Sequence, residues 1–261
     1  MEQRDKWLIV GERGQGRGGG FGLPVVHFHY RIGLGPHLFR SKSVPPQRGG
    51  LLGMELGKYD GRGNPEPFCG EVLRECQARR FSGVVCRLGE RRLPGLGEIL
   101  ARLAESCHSR GLSCFVPEQY GQMAAAAGVL IPTAISGGSL ERRLKGAVRE
   151  FGAERVAIWL NRGMEDFTLP APSGSGRQLG YEELESLREK YRASCFFSDA
   201  LCARYFTYMD GMEGHFVLFD DLASLQKKLN LAGQLGIRTV FFPTAELGEL
   251  TGELLRERKS G

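Results

Sequence analysis

Eight apolar, β-branched or aromatic runs punctuate this chain of 261 residues, at 7–10, 25–32, 51–56, 83–88, 112–117, 129–135, 155–160 and 239–243. From residue 66 onward they alternate with stretches of helical period at 69–80, 96–109, 140–151, 181–191 and 222–235. Short continuous apolar runs mark strands buried on both faces, and strand–helix alternation with short links makes such strands parallel. Eight parallel strands with right-handed crossovers close into a barrel. The predicted fold class is α/β, a (β/α)8 TIM-type barrel.

The first third fits that pattern least. Only Gly-rich sequence separates 7–10 from 25–32, and the Pro/Arg/Ser stretch between Ile32 and Leu51 has no helical period. The barrel is therefore expected to be abbreviated or irregular in its N-terminal third, either lacking its first helices or pairing its early strands as a hairpin at an open edge. The domain limits predicted are a Gly/Arg-rich segment over 1–22, one barrel domain over 23–252 with a hairpin insertion at about 204–220, and a charged tail over 253–261. Residues 163–180 read as an exposed loop.

The closing stretch, 205–242, is the most explicit. Phe206, Tyr208, Phe216, Leu218 and Phe219 form two aromatic runs joined at Asp210-Gly211 and Glu213-Gly214, the composition of a reversing strand pair. Asp221 or Ser224 can cap the helix that follows, in which Leu222, Leu225, Leu229, Ala232 and Leu235 recur at helical spacing. Gly236 suits a left-handed helix end, and an apolar strand begins at Ile237.

A length of 261 residues suffices for a full single-domain core. The net charge of +5 is spread over Arg-Arg pairs at 79–80, 91–92 and 142–143, each beside acidic or apolar neighbours, so no nucleic-acid partner is expected. No run reaches membrane-span length, so no membrane partner is expected either. The seven cysteines form no CxxC pair and no His spacing suited to zinc, so neither metal nor cofactor is predicted. Cys69/Cys76 and Cys195/Cys202 are each seven apart, one face of a helix and compatible with core packing. The odd thiol count favours a reducing compartment, and the amino terminus lacks a signal peptide's apolar core, so a cytoplasmic or spore-associated location is expected.

In a β/α barrel, chemistry resides where strands run into their following loops. Those junctions carry Glu55 with Tyr59 and Asp60, then Glu90, then Glu118 with Tyr120, then Asn161 and Arg162. Glu118, Glu90 and Glu55 are the candidate general acids for glycoside hydrolysis; Tyr59, Asp60, Tyr120, Asn161 and Arg162 are the candidate substrate-binding residues. The competing explanation is that each carboxylate is a solvated loop charge, Glu90 pairing with Arg91 and Arg92. His27 and His29 fall on one face of a strand without a placed third metal ligand. Gly14, Gly16 and Gly19 satisfy a GxGxxG pattern, but no helix follows to receive a phosphate, so a flexible turn or arm is expected.

The order Tyr208, Asp210, His215, Phe219, Asp221, Ser224, Leu225, Lys228, Leu229, Leu231, Ala232, Leu235, Gly236 and Arg238 resembles the carboxyl-terminal part of glycoside hydrolase family 18, especially its bacterial spore-associated branch. Over about 50–245 the likeness continues through Ile135-Ser136-Gly137-Gly138-Ser139-Leu140-Glu141. The resemblance implies a fourth barrel strand bearing spaced aspartates that end in a catalytic glutamate. Here Phe81, Gly83 and Val84 match that scaffold, whereas Ser82, Val85, Arg87 and Gly89 stand where the acids belong. Glu90 is one residue late, which on a strand is the opposite face unless a bulge intervenes. The sixth-strand tyrosine has Ala134 or Ile135 near its place, and Phe242-Pro243 replaces the last-strand tryptophan. The expectation is a catalytically degenerate protein that binds carbohydrate or cell-wall glycan or acts in spore-layer assembly, its partners an N-acetylglucosamine-containing glycan or spore-layer proteins. The stacking candidates are Tyr59, Tyr120 and Trp159, the last equally a core residue. The alternatives are an active retaining glycosidase on chitin or peptidoglycan and a purely structural coat component.

Overall fold

The computed structural model describes residues 6–11, 21–41, 47–89, 92–171, 174 and 176–257. In chain order the strands begin with β1 (Lys6–Gly11), β2 (Val25–Ile32), β3 (Leu38–Arg40) and β4 (Leu51–Leu56). Alternation follows: helix α1 (Pro65–Arg79), β5 (Gly83–Arg87), α2 (Leu96–His108), β6 (Ser113–Pro117), β7 (Gly128–Pro132), α3 (Leu140–Phe151) and β8 (Val156–Trp159). Then come β9 (Met164–Leu169), β10 (Arg177–Gln178), α4 (Tyr181–Tyr191), β11 (Phe196–Ser198), β12 (Ala203–Asp210) and β13 (Glu213–Phe219). The chain ends with α5 (Leu222–Gln234), β14 (Thr239–Pro243), α6 (Thr244–Leu247) and α7 (Leu250–Glu257). Two compact units result: Met1–Ile131 with Ala147–Trp159 and Gly236–Ala245, and Pro132–Gly146 with Leu160–Leu235 and Glu246–Gly261.

The first unit is built on a closed barrel. Its strands follow the order β1-β14-β8-β7-β6-β5-β4-β2, and β2 returns to pair with β1. All eight apolar runs become barrel strands. Because β1 and β2 are parallel, with Ile9 opposite Val25, the early strands close the barrel rather than form an edge hairpin. The irregularity is real nonetheless: among the described residues no helix joins β1 to β2, and only β3, antiparallel to β2, lies between β2 and β4. Lys6–Gly11 is thus a barrel strand although it falls in the stretch 1–22 expected to precede the domain.

Period-two alternation sorts the side chains. Leu8, Val10, Val26, Phe28, Leu51, Val85, Phe115, Leu130, Ala157, Trp159 and Phe241 fill the interior in one cluster. The intervening Leu52, Met54, Val84, Cys86, Cys114 and Val116 pack outward in a second cluster with Phe68, Val72, Leu100 and Leu103 of α1 and α2. Gly53 sits on the inward face, where a Cβ would come within 2.7 Å of the Phe28 ring, so the glycine makes room for that ring. Helix α1 starts earlier than its periodicity suggested because Asn64 Oδ1 accepts the Glu66 amide at 3.0 Å and Pro65 opens the first turn. Cys69 and Cys76 lie buried on its core face, as their spacing predicted.

One feature of β2 departs from strict alternation. Its register against β4 runs Phe28 to Gly53 and then Tyr30 to Met54, a bulge at His29. Val26 and Phe28 face the interior, whereas Tyr30 and Ile32 beyond the bulge join the outer cluster. The bulge therefore swaps the faces of the strand's last residues.

The second unit carries a five-stranded antiparallel sheet in the order β10-β9-β13-β12-β11. The predicted hairpin is β12–β13, turning at Gly211 with Asp210 opposite Glu213. Residues 163–180, expected as an exposed loop, instead supply β9 and β10; β9 lies in register with β13, and Phe167 and Asp166 are buried. The alternation there was masked because Asp166 is a buried acid on a hydrogen-bonded strand. Leu184 of α4 packs with Leu179, Phe206, Tyr208, Val217 and Phe219. Both candidate caps of α5 act: Asp221 Oδ1 accepts the Ser224 amide at 2.9 Å, and Ser224 Oγ accepts the Asp221 amide at 2.8 Å. Cys195 and Cys202 lie outside helices, so their spacing has no helical meaning. The stretch expected as a charged tail continues α7 through Leu254 and Leu255, both buried.

Candidate functional site

The inward positions at the carboxyl ends of adjoining strands converge on Arg87. Counting by twos from the interior residue Val85 places Arg87 inward at the end of β5, and counting from Leu51 through Gly53 places Glu55 inward at the end of β4. The two meet: Arg87 Nη2 donates to Glu55 Oε1 at 2.5 Å. Arg31 reaches the other oxygen, Nε to Oε2 at 3.9 Å, because the β2 bulge has turned it to the inner face. The Arg87 guanidinium lies 4.6 Å from the Phe28 ring centroid and 5.7 Å from that of Trp159. Phe28 and Trp159 are themselves buried, and Trp159 stacks on Phe241 at 5.7 Å. The result is a half-exposed guanidinium seated on two aromatic rings and steadied by a carboxylate.

That arrangement suits recognition rather than proton transfer. A general acid must aim a proton at a glycosidic oxygen. Glu55 aims one oxygen at each of two guanidiniums instead. An arginine on an aromatic floor presents in-plane donors to a polar ligand while its faces rest on the rings.

The other predicted residues are distributed as follows. Glu118 opens a one-turn helix, Glu118–Tyr120, directly after β6, and its side chain is half-buried. Its neighbour Gln119 donates from Nε2 to Gly89 O at 2.8 Å, tying the loops after β5 and β6 together. Glu90 lies outside the described residues, as does the Gly-rich pattern over 14–19. Tyr59 and Tyr120 are corrected: at 7% and 4% exposure both belong to the cluster packed between barrel and helices, and neither offers a ring to a ligand. Burial also raises the Tyr59 hydroxyl above its ordinary range. Asp60 is exposed and accepts the Arg62 amide at 3.2 Å, a local turn contact.

Asn161 and Arg162 belong to the second unit. Asn161 Oδ1 accepts the Thr133 amide at 3.2 Å, and its Nδ2 donates to Glu246 Oε2 at 3.5 Å. Arg162 Nε donates to the Asp220 carbonyl at 3.4 Å, with its guanidinium 5.5 Å from the Tyr181 ring. Both are thus engaged in holding local structure. His215 is likewise structural: Nδ1 lies 2.9 Å from Asp166 Oδ1, and the ring stacks on Tyr208 at 4.4 Å. Tyr208 donates to Asp166 Oδ2 at 2.8 Å, and burial followed by this bond pushes its hydroxyl well up. Among the described residues no group of three metal-ligating side chains assembles. His27 and His29 do lie together, ring centroids 6.1 Å apart, and burial first, then His29, lowers His27 to about 4.

Arg87, Arg31 and Phe28 were not among the predicted site residues. Arg87 was legible from the alternation through Val85. Arg31 was not, because unbroken alternation puts it on the face of His27.

Models of known protein families and curated protein sequences give no match to the chain. Solved structures do. The spore cortex-lytic enzyme SleL of Bacillus megaterium superposes with a TM-score of 0.68 at 14% identity, over 98% of this chain and 74% of that one. A chitinase from Chromobacterium violaceum gives 0.69 at 16%, over 98% and 99%. The chain thus shares the closed (β/α)8 barrel fold of these solved structures. A class V chitinase from Nicotiana tobaccum in complex with NAG4 also matches, at 0.69 and 12%, over 97% of this chain and 98% of that one. Counted along the chain, β5 is the fourth of the eight barrel strands, and Arg87 is its last residue. Its inward direction, inferred from alternation, is supported by the contacts to Phe28, Trp159 and Glu55.

Proposed function

We propose that this protein is a catalytically degenerate family 18-type barrel that binds an N-acetylglucosamine-containing glycan without cleaving it. One observation carries this: the inward end of the fourth barrel strand bears a guanidinium on aromatic rings, paired with Glu55, rather than a carboxylic acid. The likeness of the fold to enzymes described as chitinases and as spore cortex-lytic supports glycan as the ligand class. A role in spore layers follows the same likeness.

The test combines binding with product analysis. Purified protein is titrated calorimetrically with chito-oligosaccharides and incubated with them and with peptidoglycan, soluble fragments being sought by mass spectrometry. Saturable binding without fragments, weakened roughly tenfold by Arg87→Ala, is the expected result. Fragments that vanish in Glu118→Gln or Glu90→Gln would establish an active glycosidase and identify its acid. Absence of both binding and fragments would leave assembly with protein partners as the role.

A further inference from the structure

We propose that the amino-terminal mouth of the barrel, opposite the strand ends that carry Arg87, is a second binding site, for a small metabolite bearing an oxyanion, with the Lys6 ammonium and the Ser113 hydroxyl as its anchors.

A cavity of about 670 Å³ opens there, within the size range of small-molecule sites. Lys6, Ser113, Phe115, Arg155 and Arg238 line it, with Glu154 as an acidic lining residue. Lys6 starts β1 and shares its inward parity with Leu8 and Val10; Ser113 starts β6 and shares it with Phe115. In the barrel order β6 is the fourth strand from β1 in either direction. The Lys6 side chain therefore spans the barrel floor, and Nζ donates to Ser113 Oγ at 2.8 Å while lying 5.4 Å from the Phe115 ring centroid.

Among the described residues this cation is only partly satisfied. Ammonium has three N–H donors, and a hydroxyl and an aromatic face are its partners; among the described residues no carboxylate pairs with it. Ser113 Oγ, accepting from Lys6, keeps its own proton to donate. Two donors thus converge on the cavity, beneath an apolar interior that supplies no counter-charge. Arg155 adds positive potential while its Nε and Nη2 groups donate to the carbonyls of Gly121, Ala124 and Ala127. Burial also depresses the Lys6 ammonium below its usual range. An oxyanion against Nζ would replace the lost hydration with a charge-assisted hydrogen bond.

Inorganic phosphate and glucuronate separate the two oxyanion chemistries. Each is titrated calorimetrically into the full chain and into Lys6→Met, Lys6→Arg and Ser113→Ala, and acetic anhydride labelling of Lys6 is followed by mass spectrometry with and without each probe. Saturable binding of at least one probe is expected, weakened roughly tenfold or more in Lys6→Met, largely retained in Lys6→Arg, and accompanied by slower Lys6 labelling. Binding of phosphate alone or of glucuronate alone assigns the oxyanion. No saturable binding of either probe at millimolar concentration, or binding unchanged in Lys6→Met, would overturn the proposal. If Lys6→Met does not fold, Ser113→Ala and the labelling protection decide it. Glycan binding at the other end of the barrel is measured separately, and neither result depends on the other.

Discussion

Glu55 and Arg87 end adjacent parallel strands and meet at 2.5 Å, with the guanidinium resting on Phe28 and Trp159. Their side chains are 25% and 41% exposed, so water screens part of the attraction. A double-mutant cycle with Glu55→Gln and Arg87→Met, read by urea denaturation, is expected to give a coupling of about 1 kcal/mol. A coupling indistinguishable from zero would mean that the pair does not hold the guanidinium in place.

Lys228 and Asp220 in the second unit are a different kind of pair. They are 1% and 2% exposed, bonded Nζ to Oδ2 at 2.6 Å, and Gly163 N also donates to that oxygen at 2.9 Å. Burial raises the Asp220 carboxyl, with Lys228 opposing that rise. Lys228→Met strands a buried acid and should cost about 3–5 kcal/mol, whereas Asp220→Leu/Lys228→Met should cost clearly less. Chemical denaturation of both proteins decides between this and a solvated pair, for which the single change would be nearly neutral.

Tyr208→Phe removes the hydroxyl that donates to the buried Asp166. A loss of about 1–2 kcal/mol is expected, with His215 and Arg177 retained as partners of the carboxylate. An unchanged melting temperature would show that the network does not stabilise the sheet.

His27 predicts an acid-side loss of stability. Its folded value is about 4, against an ordinary 6.5, so the unfolded chain binds the extra proton between those values. Stability is fully present above pH 6.5 and falls as pH drops through about 4. Because the ring is only half-buried, the effect is discounted to roughly 1–2 kcal/mol. Urea titrations at neutral and acidic pH should show His27→Gln losing less than the unmodified protein by that amount.

The thiols should be largely silent in the native state. Cys69, Cys76, Cys86, Cys107, Cys114 and Cys202 are buried, and only Cys195 is partly exposed. Burial pushes Cys69 up to about 11 and Cys76 up to about 12, far from the thiolate form at neutral pH. A disulfide reagent should modify Cys195 first, and the other six at appreciable rate only after denaturation. Rapid native labelling of Cys107 or Cys114 would contradict the packed core around them.

The barrel was legible in the sequence because burial on both faces demands uninterrupted apolar runs, and each of the eight runs became a strand of it. The hairpin, the capping box at Asp221 and Ser224, and the inward aim of Arg87 are local consequences of turn chemistry, side-chain reach and period-two alternation. Other features required distant partners. β9 forms because β13 offers it a ladder, and the acid at Asp166 is tolerated there only because Tyr208 and His215 satisfy it. Tyr59 and Tyr120 look like ligand platforms in sequence, and only packing places their rings in the core. Closure brings Lys6 to Ser113 across 107 positions of chain, and the bulge at His29 brings Arg31 to Glu55. By itself the sequence determined which segments are strands and helices, since those follow from periodicity; tertiary structure alone decided which charges meet, since ion pairs are set by strand order and register, to which local pattern is blind.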